Sequence, residues 1–349
     1  MNIALPVLET RATKPIFAKG PRSLTSLQLL RISVTDRCNF RCVYCMPQQG
    51  LEFLPGRDVL SAHNIFAVCK AAKEVGITHF KLTGGEPLLR RDLCEIIAGI
   101  RKLEPVDISL TTNGVLLPQQ ASALKNAGLD RVTISLDTLD HTRFDAIAGK
   151  TGRFQLEDVL NGIQAANDVG FKQIKLNTVV MKGINDDEVI SFAKLTTHNA
   201  WTIRFIEYMP LGNSQLLDRN SNNPLALVTE NEVIKQRIEH HFGELIKISR
   251  SDEYGVGPAN VFQIPGHIGR IGFISAMSRP FCENCNRLRL TANGDLRACL
   301  FDGGEINILR YCLEVNSHKK LVHAIQQSLD LKPEVHKDVG NRAMSQMGG

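Results

Sequence analysis

Three cysteines on one short segment are the residues most able to do chemistry in this chain of 349 residues. Cys38, Cys42 and Cys45 form a CxxxCxxC pattern within residues 36–47. Thiolates are soft ligands that select zinc, copper(I) or an iron–sulfur cluster. A structural zinc site normally takes four ligands, so three cysteines on one loop favour an iron–sulfur centre with one open position. A zinc site that borrows a fourth ligand from elsewhere is the alternative on spacing alone.

A second group of cysteines lies near the C-terminus. Cys282, Cys285 and Cys299 form a CxxC pair followed by a lone cysteine. This spacing is typical of a zinc ribbon, for which Cys312 would supply a fourth ligand. Spacing alone therefore favours zinc at this group, and an iron–sulfur cluster is the alternative.

Polar residues near the ends of the predicted strands form a third set of candidates. One strand ends in TGGEP, where Gly85 permits close backbone approach and Glu86 can accept a hydrogen bond from an amine. Polar side chains interrupt the later apolar runs at Thr111, Ser135, Lys175 and Arg204. Each of these alone is better explained as a helix cap or an ion-pair partner. Together they predict a pocket at one mouth of a barrel, where Lys175 and Arg204 would attract a carboxylate or a phosphate.

The elements that must position these residues alternate between strand and helix. Apolar runs predict six strands from residue 29 to about residue 209, with helices between them that close near Gly or a polar turn. Ser61 as an N-cap and Gly76 as a stop signal delimit the first of these helices. The alternation predicts parallel strands with right-handed crossovers, in either an open sheet or a barrel. After Pro210 a polar loop and a helix lead to short strands, which predict a smaller second unit.

Composition narrows the classes of function. The chain is 43% hydrophobic and 22% charged, as is usual for a soluble globular protein. A net charge of +5 and a single Trp disfavour nucleic acid as a partner and suit a small anionic substrate. Nine cysteines, of which six lie in the two groups, indicate a metal protein in a reducing compartment. Because neither a signal peptide nor a membrane-length apolar run is evident, we expect a cytoplasmic protein with no membrane partner.

The segment DRCNFRCVYCMP resembles the signature of the radical S-adenosylmethionine (SAM) superfamily. There, three such cysteines hold a [4Fe–4S] cluster, and SAM binds the open iron. The resemblance implies an α/β fold with a partial (β/α)6 TIM-like barrel at 29–243, and a smaller C-terminal α+β domain at 244–349. Residues 1–28 are expected to form a flexible arm. The SAM contacts implied by the resemblance are Tyr44, Gly85, Glu86, Ser135 and Met209.

The run CNRLRLT followed by ACLF resembles one branch of that superfamily, the GTP 3′,8-cyclases of molybdenum-cofactor biosynthesis. The resemblance covers about residues 29–349 and implies a second [4Fe–4S] cluster at Cys282, Cys285 and Cys299. It also implies a set of GTP contacts, which are Arg31, Lys81, Thr111, Lys175, Arg287, Leu288 and Arg289. Lys81 stands where the family often has arginine, so the charge is kept but the bidentate geometry is lost.

The same resemblance assigns catalytic roles at two further places. Arg204 is similar to an arginine of the shared pocket. Gly348 and Gly349 match a terminal pair that enters the active site in the family. On the residues alone, a Gly-Gly terminus would indicate fraying of the chain end.

The resemblance implies a radical reaction with SAM and two [4Fe–4S] clusters as cofactors. An external one-electron reductant would drive cleavage of SAM, and the resulting radical would remove the 3′ hydrogen of GTP. C3′ would then bond to C8 of the guanine, and a further electron and proton would complete the product. The product would pass to a downstream cyclic pyranopterin monophosphate synthase. A homodimer is compatible with the sequence, which does not determine the oligomeric state.

Two other functions compete with this one. The first is a peptide- or sulfatase-modifying radical SAM enzyme, a class that usually carries more C-terminal cysteines. The second is a regulator that binds zinc or a cluster to hold nucleic acid, which the mild charge and the few aromatic residues disfavour.

Overall fold

The structure is a computed structural model that describes residues 22–347, except 48, 150–153, 220–221, 302–303, 313, 338, 341 and 343. Most of the predicted N-terminal arm (residues 1–21) and the pair Gly348 and Gly349 lie outside the described residues.

Strands and helices alternate through the first two thirds of the chain, as predicted. The strands are β1 (Leu29–Ser33), β2 (His79–Thr83), β3 (Asp107–Thr112), β4 (Arg131–Ser135), β5 (Lys175–Val180), β6 (Thr202–Glu207), β7 (Ile246–Lys247), β8 (Asn260–Gln263), β9 (Arg270–Ile274), β10 (Arg287–Leu290), β11 (Asp295–Arg297) and β12 (Glu305–Asn307). The α-helices are α1 (Ala62–Glu74), α2 (Leu93–Arg101), α3 (Leu117–Asn126), α4 (His141–Ala148), α5 (Leu156–Asp168), α6 (Val189–Lys194), α7 (Gln215–Arg219), α8 (Asn231–Phe242), α9 (Leu309–Cys312), α10 (Ser317–Asp330) and α11 (Met344–Met347).

Local signals set the helix boundaries where the sequence predicted them. The Ser61 side chain accepts a hydrogen bond from the backbone N–H of Asn64 and so caps α1. Gly76 follows that helix with φ +99°, a conformation that glycine adopts without steric cost. None of the described helices is long and apolar enough to span a membrane.

All the strands belong to one sheet, in the order β12-β11-β10-β1-β2-β3-β4-β5-β6-β9-β8-β7. The six predicted strands β1 to β6 are neighbours in sequence order and run parallel. The order is open, because β12 and β7 at its ends are not paired with each other among the described residues. These features confirm the α/β fold class and the partial barrel.

The C-terminal segment adds strands to both edges of the parallel sheet. β10 pairs parallel with β1, and β9 pairs parallel with β6. Antiparallel strands then extend each edge further. The chain after residue 243 therefore shares the sheet of the barrel, and the proposed division at residues 243–244 stays a prediction.

Candidate active site

The first cysteine loop, residues 36–47, is held at the carboxyl end of β2. The backbone N–H of Gly85 donates to the carbonyl of Thr35 at 2.8 Å, and that of Glu86 donates to the carbonyl of Arg37 at 2.7 Å. A Cβ on Gly85 would lie 2.3 Å from the Arg37 carbonyl oxygen. The glycine that the sequence suggested for ligand approach is thus required first for the approach of the cysteine loop.

Two helices that sequence analysis did not predict also hold this loop. The end of α4 accepts hydrogen bonds from the loop, from Arg41 N–H to the Ala148 carbonyl at 2.9 Å and from Val43 N–H to the Ile147 carbonyl at 3.0 Å. At the start of α7, Leu216 N–H donates to the Val43 carbonyl at 3.1 Å. The loop geometry therefore depends on three separate elements.

The three thiols of this loop open into one cavity of about 120 Å³ at the carboxyl ends of the strands. The predicted SAM-site residues that line it are Cys38, Cys42, Cys45, Tyr44, Gly85, Glu86 and Ser135. Met209 is not among the lining residues; it is half-buried and packs against the apolar group that contains Tyr44. Thr111, predicted as a GTP contact, lines this cavity instead, and its buried hydroxyl has no hydrogen-bond partner among the described residues.

The electrostatics of these thiols fit an iron cluster. Burial, together with the charge of Glu86, raises the pKa of Cys38 to about 12. Burial and the neighbouring Cys45 and Asp137 raise the pKa of Cys42 well above its ordinary value. Three thiolates are thus costly here without added positive charge, which bound iron would supply. Among the described residues, no three His, Cys, Asp or Glu side chains form a site for a single metal ion, so the case for a cluster depends on the shared cavity and its chemistry.

Two carboxylates of this cavity are already engaged by the protein. Both oxygens of Glu86 accept hydrogen bonds, from the Thr112 hydroxyl at 2.7 Å and from the Asn113 N–H at 2.8 Å. Asp137 accepts from the Tyr44 hydroxyl at 2.8 Å and from the Val179 N–H at 2.8 Å. Glu86 therefore joins the ends of β2 and β3, and Asp137 orients the aromatic ring between two of the cysteines.

The C-terminal segment also reaches this cavity. Met344, in α11, lines it together with the cysteines. The chain is led there by hydrogen bonds between Gly340 N–H and the Pro210 carbonyl, and between Gly212 N–H and the Gly340 carbonyl, each 3.0 Å. The predicted active-site pair Gly348 and Gly349 lies outside the described residues, four positions after Met344.

Six cations lie on the strands of the sheet, of which Arg204 and Arg289 are buried and the others are half-buried, and two of the six adjoin the second cysteine group. Arg31 is the register partner of both Lys81 on β2 and Arg289 on β10, so these residues are aligned across three strands. Arg204 on β6 and Lys81 both donate to the Thr133 hydroxyl, at 3.2 and 3.4 Å. We call Arg31, Lys81, Lys175, Arg204, Arg287 and Arg289 the cation chamber.

Mutual repulsion and burial lower the pKa values of several cations in the chamber. Burial, followed by the charges of Arg289 and Arg287, holds the pKa of Arg31 well below its usual value. Burial and the nearby Arg204 do the same to Lys81. Burial and Arg131 lower the pKa of Arg204 to about 9. Among the described residues, the Nε atoms of Arg204 and Arg287 have no hydrogen-bond partner. An anion would relieve this repulsion and occupy those donors.

Two of these cations lie nearer the amino ends of the strands than the sequence predicted. Lys175 is the first residue of β5, and it lines with Arg204 a second cavity of about 200 Å³ at the amino ends of the strands. The Lys175 ammonium donates to the carbonyl of Tyr254 at 2.7 Å. The expectation that all strand polar residues meet at one mouth is therefore wrong. The alternation of residues along a strand predicts which face of the sheet a side chain occupies, but it does not predict how near that side chain lies to either mouth of the barrel.

The second cysteine group lies beside the cation chamber. Burial raises the pKa of Cys282, and the charges of Cys299 and Cys285 act in the same direction, so the three thiols are electrostatic neighbours. Burial acts to raise the pKa of Cys285, but the charges of Arg287, Lys332 and Arg289 and a backbone hydrogen bond from Arg287 together lower it. Cys312, the alternative zinc ligand, lies in α9 and packs against the main core.

Two residues near this group have roles that the sequence did not reveal. Leu288 is fully buried in the main core, so any contact with GTP at this position is through its backbone. Glu207, at the end of β6, accepts hydrogen bonds from the N–H groups of Met277 and Ser278, each 2.8 Å. It thereby fixes the segment that leads to Cys282.

Comparison with known proteins agrees with this arrangement. Residues 32–196 match the model of the Radical SAM superfamily, and residues 201–338 match that of Molybdenum Cofactor Synthesis C. The chain is 44% identical to a "GTP 3′,8-cyclase" of Cyanothece sp. over 339 residues, covering 93% of this chain and 100% of the relative. It is 44% identical to a protein of the same name from Listeria welshimeri, covering 92% of this chain and 96% of the relative.

The fold is also similar to that of a protein of known structure. The crystal structure of Streptococcus suis SuiB bound to S-adenosylmethionine matches 86% of this chain and 66% of its own, with a TM-score of 0.57 at 16% identity. At this identity the similarity concerns the fold alone.

Proposed function

Because this chain belongs to the GTP 3′,8-cyclase family of the radical SAM superfamily, we propose that it converts GTP to (8S)-3′,8-cyclo-7,8-dihydroguanosine 5′-triphosphate, the first step of molybdenum-cofactor biosynthesis. The observation that carries the proposal is the cation chamber, which adjoins the second group of thiols and includes cations on the strands that lead to the thiol-lined cavity. A small polyanion bound there would adjoin both.

The first cysteine loop would hold a [4Fe–4S] cluster through Cys38, Cys42 and Cys45, with SAM in the adjoining cavity. When bound and reduced, this cofactor pair supplies reductive cleavage of SAM and a radical able to abstract hydrogen. The chain supplies position and dryness: Tyr44 is fixed by Asp137, and apolar residues close the wall behind the thiols. Gly85, Ser135 and Met209 complete the proposed SAM site.

The cation chamber would hold the triphosphate of GTP. Arginine donates in a fixed fork that matches phosphate oxygens, and Arg204 and Arg287 each keep an unpartnered Nε among the described residues. Lys175 would exchange the Tyr254 carbonyl for a phosphate oxygen, which is the stronger acceptor because it is charged. Arg31, Lys81 and Arg289 would complete the charge, and Thr111 and Leu288 complete the proposed GTP contacts.

The proposal places a second [4Fe–4S] cluster at Cys282, Cys285 and Cys299. It is supported by the proximity of the three thiols and by the cations around Cys285, which favour its thiolate. Gly348 and Gly349 are proposed to act at the site that Met344 lines. The proposal also includes an external one-electron reductant and a downstream cyclic pyranopterin monophosphate synthase, and light scattering would test for a homodimer.

The experiment is to measure release of 5′-deoxyadenosine by reduced, anaerobically reconstituted protein with SAM, with and without GTP. We expect release that depends on GTP, together with a cyclised nucleotide. Release that is indifferent to GTP would contradict the proposed substrate. Absence of release from protein that holds iron and sulfide would contradict the whole reaction.

A further inference from the structure

Lys332 is a buried lysine whose ammonium group contacts a cysteine of the second group. Its side chain is 2% exposed. The Nζ atom donates to the Cys285 carbonyl at 2.8 Å and to the Cys285 sulfur at 3.6 Å. Among the described residues, no carboxylate lies within 4.0 Å of this ammonium. A buried lysine is costly unless an anion compensates it, and here the nearest candidate anion is the Cys285 thiolate.

The fold fixes this contact in place. Lys332 follows the last turn of α10, and Pro333 directly after it prevents the helix from continuing. Its own backbone is tied on both sides, because its N–H donates to the Leu329 carbonyl at 3.1 Å and its carbonyl accepts from Arg22 Nε at 2.9 Å. The ammonium is therefore preorganised against the sulfur, without the freedom of a surface lysine.

The contact of Lys332 distinguishes Cys285 from the other cysteines of the group, because its ammonium donates to the Cys285 sulfur at 3.6 Å. Arg287, two residues after Cys285, is a second cation near this sulfur. Arg287, the other cation in this role, belongs to the cation chamber and would be neutralised by bound GTP. Lys332 is not part of the chamber, so its charge would act on Cys285 whether or not substrate is present.

We propose that Lys332 is a positioning and tuning residue of the second cluster, whose ammonium orients Cys285 and raises the reduction potential of the cluster bound there. The proposal rests on the second cluster of the proposed function. A positive charge and an N–H···S hydrogen bond at a ligating sulfur stabilise the more negative, reduced state of a cluster. Neither contact touches substrate, so the residue acts through Cys285.

The test isolates the second cluster in the full chain by changing Cys38, Cys42 and Cys45 to Ala. Anaerobic potentiometric titration followed by electron paramagnetic resonance then gives its midpoint potential. We expect Lys332→Met to lower the ratio of reduced to oxidised cluster at least tenfold at a fixed potential, a shift of about 59 mV for one electron. Lys332→Arg should keep the midpoint potential close to that of the unmodified protein. Lys319→Met, at an exposed position of α10, should leave the potential unchanged.

The outcomes separate the inference from its premise. An iron cluster whose potential is unchanged in Lys332→Met would overturn the inference alone. If Lys332→Met loses the cluster with unchanged circular dichroism while Lys332→Arg retains it, the role of the charge is supported. Loss in both variants would show a packing role and overturn it. Zinc instead of iron at these cysteines in the unmodified protein would overturn the second cluster and the inference together.

Discussion

Replacement of Arg204 by Met should stabilise the protein without substrate and weaken its binding of GTP. Arg204 is 6% exposed, its guanidinium donates to the Thr133 hydroxyl, and it lies near other cations. Burial first, and then the charge of Arg131, lowers its pKa to about 9. At about 1.36 kcal/mol per unit, this fall corresponds to about 5 kcal/mol of disfavoured charge.

The expected gain is smaller than that figure. Apolar replacement of buried ionic groups stabilises proteins by about 1 to 4 kcal/mol, and we expect the Arg204→Met variant to fall in this range. Loss of a charge-assisted bond to phosphate costs about 1.5 to 3 kcal/mol, which weakens GTP binding about ten- to a hundredfold. The same change should therefore move stability and affinity in opposite directions.

Urea unfolding of the protein without GTP measures the first effect, and anaerobic titration calorimetry with GTP measures the second. Arg57→Met is the matched control, since it removes the same charge from a side chain that is 86% exposed. A less stable Arg204→Met variant would refute the idea that this cation is uncompensated. A more stable variant with unchanged affinity would refute the assignment of the chamber to the triphosphate.

Three further changes test other parts of the site. Asp107→Asn should cost about 1.5 to 3 kcal/mol at pH 7, because it leaves the half-buried Arg131 without its charged bidentate partner. Burial acts to raise the pKa of Asp107, but Arg131 lowers it overall, so the carboxylate stabilises the fold at pH values above 3.8. As the pH falls below 3.8 and Asp107 is protonated, the difference in stability between the variant and the unmodified protein should vanish. Gly85→Ala should abolish iron binding by the first loop, measured by iron and sulfide analysis, because its Cβ would clash with the Arg37 carbonyl; normal iron content would contradict the packing argument. Tyr44→Phe should weaken SAM binding severalfold by equilibrium dialysis while iron content is kept, since only the hydroxyl that anchors the ring is lost; unchanged SAM affinity would exclude that role.

Periodicity was sufficient to predict the long elements, because each buries a continuous apolar face. The strands β1 to β6 and the helices α1, α2, α3, α5 and α8 follow from this pattern. The helices that secure the first cysteine loop do not. α4 and α7 are short and rich in polar residues, and they hold the loop through backbone hydrogen bonds to Val43. Because backbone contacts do not affect the spacing of side chains, periodicity does not predict these helices.

The cysteines and their pocket could be predicted from residue types, but the arrangement of charge could not. Arg31, Lys81 and Arg289 are far apart in the sequence, and only the register of three parallel strands aligns them. Likewise, Lys332 at the end of an amphipathic helix is typical of a solvated lysine, and only its burial against Cys285 distinguishes it.

This arrangement links the two halves of the site. Burial, with Arg287, lowers the pKa of Arg289 to about 10, while the thiols Cys299 and Cys285 act to raise it. The thiols on one side of this wall thus partly offset the repulsion between its cations. Under the proposed function, occupation of the second cysteine group would stabilise these cations, and a bound triphosphate would remove their mutual repulsion. We therefore propose that the second cysteine group and the substrate share the cations that strands β1, β2 and β10 align.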